Sequence, residues 1–134
     1  MNLEGDRHVE QCIYPTNACF NDAMDILAEL LTVDKVPPAH LRLVHGICLL
    51  EDGTRCAHAW VERGTACLFL GLYQGARVLC TVPRPEYYAR LRVQQRRKYT
   101  MAQAARENAR TVSYGPWKAA YVALVRMPQE ADDA

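Results

Sequence analysis

Beyond Thr16 and Asn17, either of which can cap a helix, apolar side chains recur at Phe20, Ala23, Met24, Leu27, Leu30 and Leu31, with Asp22, Asp25 and Glu29 between them. This spacing is one face of an α-helix and predicts a first helix over about residues 18–31, ended by the turn-forming stretch 34–38. Segments 41–50, 54–62, 65–73 and 76–82 are then rich in Leu, Val, Ile and aromatic residues and are separated by Asp52-Gly53, Arg63-Gly64 and Gln74-Gly75. Glycine as the last turn residue in each case predicts an antiparallel meander. Pro85 suits the first turn of a second helix, expected to run through about Arg97. Thr100 with Gln103 forms a capping box for a third, whose stripe is Met101, Ala105, Ala109 and Val112. The segment 113–117 should stop that helix, and 121–127 reads as a last strand. A helix, then strands, then helices, is an α+β pattern.

The chain has 134 residues, enough for one hydrophobic core without staples. With no repeat and no Gly/Ser linker, and Pro83-Arg84-Pro85 as an internal junction, a single domain over 1–128 is expected, followed by a disordered polar tail at 129–134. Half the residues are apolar and the net charge is +1, so the overall balance points to no strongly charged partner. No apolar run approaches the ~20 residues of a membrane span, and residues 1–10 are polar and acidic where a secretory signal is apolar. A soluble cytoplasmic protein that does not engage a membrane is expected. In that setting the six cysteines, at 12, 19, 48, 56, 67 and 80, should be reduced, the four within strand segments serving as small buried hydrophobes.

Cys19 differs because it falls in the first turn of the predicted helix, where backbone N–H groups and the positive end of the dipole favour thiolate. His58 lies on the predicted second strand, within Arg55-Cys56-Ala57-His58-Ala59-Trp60-Val61-Glu62, and a period of two places Cys56, His58, Trp60 and Glu62 on one face. A thiol nucleophile needs an imidazole within reach to take its proton and return it to the leaving group. Each residue also has a plain structural alternative: Cys19 as a core side chain, and His58 as a packed histidine bonded to a backbone carbonyl.

Asn17-Ala18-Cys19-Phe20-Asn21, then Val44-His45-Gly46-Ile47, then His58-Ala59-Trp60-Val61-Glu62, about a third of the chain, resembles the papain-like cysteine hydrolase superfamily, and especially its small bacterial and phage members. The resemblance implies a papain-like core, with the Cys19 helix packed on an antiparallel sheet and further helices toward the C-terminus. It also implies a cysteine peptidase, amidase or acyl-transferase acting on an amide bond, with Cys19 as nucleophile and His58 as base. In that picture Trp60 is a wall beside the histidine, the substrate is a peptide or other amide, and no cofactor is needed. Such sites usually carry an orienting carboxylate, Asn or Gln on the following strand, and here that strand is Ala66-Cys67-Leu68-Phe69-Leu70-Gly71-Leu72-Tyr73. A two-residue turn at Arg63-Gly64 would set His58 opposite Phe69, leaving Gln74 as the nearest polar candidate. Missing an orienter, the chain also fits a catalytically inactive interaction module on the same frame.

The cysteines and histidines lack the close-paired spacing of structural zinc sites, so no metal is expected. Arg90, Arg92, Arg96, Arg97 and Lys98, with Tyr87, Tyr88 and Tyr99 around them, are the one basic run. A nucleic-acid patch would look like this, but so does the solvated face of a helix, which the neutral charge balance favours.

Overall fold

The computed structural model describes residues 17–73 and 76–125. Helix α1 (Asn17–Thr32) leads through a 3₁₀ turn at Pro38–His40 into strands β1 (Leu41–Leu49), β2 (Arg55–Arg63), β3 (Ala66–Tyr73) and β4 (Ala76–Pro83). Helix α2 (Arg84–Leu91), strand β5 (Val93–Tyr99), helix α3 (Met101–Thr111) and the short helix α4 (Ala119–Val122) follow. The five strands form one antiparallel sheet in the order β4-β3-β2-β1-β5, with β2 at its centre. The α+β class and the meander are as the sequence predicts. The capping box at α3 is present, Thr100 accepting from the Gln103 N–H and Gln103 from the Thr100 N–H.

Both faces of the sheet are covered, and strand alternation sorts the residues between them. Leu41, Leu43 and Ile47 of β1, with Ala57, Ala59 and Val61 of β2, meet Phe20, Ala23, Ile26, Leu27 and Leu30 of α1. The alanines leave room for a helix to lie close. On the opposite face Val44, Trp60, Cys67, Phe69, Cys80 and Val82 pack under Tyr87 and Leu91 of α2. Gly46 makes that second face possible: a Cβ there would stand 2.6 Å from the Trp60 ring and 3.0 Å from the Gln95 carbonyl oxygen.

Three expectations are corrected. The second helix does not reach Arg97: Arg92 adopts a left-handed conformation with φ 49° and closes α2, and Val93–Tyr99 pairs with β1 as an edge strand. The predicted strand from Tyr121 instead begins within α4, after which the Leu124 carbonyl accepts the Ala57 N–H at 2.7 Å. The β2–β3 register is Arg63↔Ala66, Glu62↔Cys67 and Val61↔Leu68, so the turn is Gly64-Thr65 and His58 does not oppose Phe69. Pairing between β2 and β3 stops after those three residues. The predicted tail at 129–134 lies outside the described residues.

Candidate functional site

Cys19 is the third residue of α1, half-buried, and packs against the cluster between that helix and the sheet. His58 pairs with Gly46, and its ring projects to the other face, 5.7 Å from the Trp60 ring centroid and 6.4 Å from that of Tyr87. The sheet therefore distributes the two residues of the expected catalytic pair to opposite faces. The partner of His58 is the Tyr87 hydroxyl, 3.0 Å from Nε2 and supplied by α2 in place of a neighbouring strand. Nδ1 is buried without a hydrogen-bond partner, and burial pushes the His58 pKa down to about 4, so the imidazole is neutral at pH 7. Trp60 stands beside His58, but its indole N–H donates to Glu62 at 3.0 Å and it is fully buried. Gln74, the candidate orienter, lies outside the described residues. Asp22, one turn beyond Cys19, is ion-paired with Arg77 of β4.

The histidine that shares a face with α1 is His45. It touches Phe20 at 4.9 Å, Trp117 at 5.0 Å and Tyr99 at 5.1 Å between ring centroids. Gly115 closes over it in a conformation with φ +109°, where a Cβ would come 2.5 Å from the imidazole Cε1. Both ring nitrogens are buried without a hydrogen-bond partner, and burial pushes the pKa down to about 3. An uncharged ring within an aromatic box is the state this environment imposes.

The most polar buried group is Glu62, only 2% exposed at the end of β2. Its carboxylate accepts from Trp60 Nε1 and the Tyr88 hydroxyl, and from Arg84 Nε at 3.0 Å. Lys98 Nζ stands 3.1 Å away, and the Cys67 thiol donates at 3.8 Å. Burial by itself would raise the carboxyl pKa; hydrogen bonds from Tyr88, Trp60 and Lys98, with the Lys98 charge, outweigh it and hold the group below its ordinary value. The same carboxylate helps burial push Cys67 up to about 12, so this thiol is inert as a nucleophile. Residues from β2, α2 and β5 thus meet at one charge. Glu62 was placed on the His58 face by its spacing, but the contributions of Arg84 and Lys98 depend on α2 ending early and on β5 being a strand.

Beside Glu62 a cleft of about 690 Å³ opens between the 3₁₀ turn and the Gly64-Thr65 turn, with Arg42, Arg63, Arg84 and Lys98 on its walls. Comparison with known families, curated proteins and solved structures found no match to this chain. The site therefore stands on its own chemistry. Among the described residues, no group of three or more His, Cys, Asp or Glu side chains could hold a metal ion, and no helix is long and apolar enough to cross a membrane.

Proposed function

We propose that this chain is a binding module keeping the papain-like order of elements, a cysteine-bearing helix followed by an antiparallel meander, without a Cys19–His58 catalytic pair. The observation that supports it is the assignment of Cys19 to the α1 face and of His58 to the α2 face of one sheet. Proton transfer from thiol to imidazole needs the two within hydrogen-bond reach, and a hydrogen-bonded sheet between them is not crossed by changing a rotamer. His58 is held by Tyr87 and stacked among aromatic rings, as a structural histidine is.

The competing hydrolase reading makes the opposite prediction about reactivity. Iodoacetamide labelling of the full chain at pH 6, followed by peptide mass spectrometry, measures Cys19 in the wild type, His58→Ala and His58→Gln. The expected result is a Cys19 rate that His58 does not control, with the four buried strand cysteines slower still. Rapid labelling of Cys19 at pH 6 that disappears in both His58 variants, with unchanged circular dichroism, would establish an activated thiolate and overturn the proposal.

A further inference from the structure

The cleft beside Glu62 is lined by more basic than acidic side chains. Its walls carry four basic side chains, Arg42, Arg63, Arg84 and Lys98, and one carboxylate, Glu62, a formal excess of three positive charges. Glu62 is already saturated by Arg84, Lys98, Trp60 and Tyr88, and it serves to fix the first two in place. Among the described residues the Arg42 side chain donates only to neutral carbonyls, those of Leu41 at 2.8 Å and Ala39 at 3.2 Å. The Arg63 side chain makes no hydrogen bond or ion pair with any described residue. Both arginines line the recess, and neither side chain is ion-paired with a described residue.

We propose that this cleft binds a small molecule bearing a phosphoryl group, held by Arg42 and Arg63 with Arg84 and Lys98 behind them. Guanidinium forks match the oxygens of a tetrahedral oxyanion and bind them bidentately. A monocarboxylate would leave most of the excess charge uncompensated, whereas a phosphate monoester or diphosphate offsets two or more charges. The volume of the recess is in the range of small-molecule sites, which span roughly 300–1,000 Å³. A nucleic-acid backbone is a poorer fit, because the other basic residues do not continue a track. Arg90 pairs with Glu86, and Arg92 donates to the Leu50 carbonyl. Arg96 and Arg97 lie over the rings of Tyr88 and Tyr99, on opposite faces of β5. The assignment does not depend on whether Cys19 is a nucleophile.

Isothermal titration of the full chain at about 50 mM salt, where charge pairing is weakly screened, tests this with three probes: inorganic pyrophosphate, acetate and a single-stranded oligothymidylate. Pyrophosphate should bind saturably at one site and acetate should not. Arg42→Ala and Arg63→Ala should each weaken pyrophosphate binding roughly tenfold, the expected cost of one charged hydrogen-bond donor. Arg110→Ala, on α3 and paired with Glu107, should leave it unchanged. The proposal is overturned by an absence of saturable pyrophosphate binding, or by binding indifferent to Arg42 and Arg63. It is equally overturned by oligothymidylate binding that exceeds pyrophosphate binding and depends on Arg96 and Arg97, which would make the surface a nucleic-acid site.

Discussion

Mild acid should destabilise this protein before its carboxylates titrate, because two imidazoles are buried in uncharged form. The unfolded chain takes up a proton at each histidine near pH 6.5, whereas in the fold burial lowers the pKa of His45 to about 3 and of His58 to about 4. Below pH 6.5 the unfolded state therefore binds more protons than the native state. The stability is fully present above that pH and is lost as pH falls toward the folded values. At pH 5 each site is ~1.5 units below its unfolded pKa, worth ~2 kcal/mol, or ~4 kcal/mol for the pair. Against a typical total of 5–15 kcal/mol, that is a large share, and it corresponds to a fall in Tm on the order of 10–20 °C. Urea unfolding at pH 7, 6 and 5, followed by circular dichroism, measures it directly. His45→Leu should remove about half the decline without sacrificing a hydrogen bond, since neither ring nitrogen has a partner. His58→Gln, combined with it, should remove most of the remainder. A stability that is flat from pH 7 to pH 5, or a decline that persists unchanged in the double variant, would refute the reasoning.

The other predictions concern the two positions that organise the α2 face. Glu62→Gln removes the charge that Arg84 and Lys98 share, and should cost ~2 kcal/mol in urea unfolding. This lies below the full penalty for a broken buried pair because those cations remain about a third exposed, at 31% and 36%. Glu62 has a depressed pKa, so its contribution is present above the ordinary carboxyl value and lost as pH falls through the lower folded one; the variant should lose less stability than wild type in strong acid. Gly46→Ala should cost roughly 1–3 kcal/mol by driving a methyl group into the Trp60 ring, with a matching fall in Tm.

The meander was legible because each of its turns is marked by glycine and each strand carries Leu, Val or aromatic residues. The boundary between α2 and β5 was not. Five of the seven residues of β5 are exposed, so Val93-Gln94-Gln95-Arg96-Arg97-Lys98-Tyr99 has no apolar alternation to report a strand. Its pairing with β1 decides the matter, and that is a long-range contact. The period of two placed Cys56, His58, Trp60 and Glu62 on a common face, as observed. Which face α1 would choose is not carried by burial, because β2 is buried on both sides; the helix settles on Ala57, Ala59 and Val61, the side with the smaller residues. Tyr87 as the partner of His58, and the gathering of Arg84 and Lys98 on Glu62, depend on chain segments separated by more than twenty residues. Local spacing carries no signal for such meetings.

A five-stranded sheet ordinarily has two open borders, here β4 and β5, but this one has a seam through its middle. Because β2 and β3 pair at only three positions, the sheet behaves as two ribbons, β5-β1-β2 and β3-β4, clasped at the end near Gly64. Along the unclasped length, the backbone after α4 supplies Ala57 with its acceptor from Leu124. The C-terminal part of the domain is thus a stitch as well as a cover. A chain ending before Leu124 would leave the Ala57 N–H without that acceptor at the centre of the sheet, where an unpaired strand donor invites pairing with another chain.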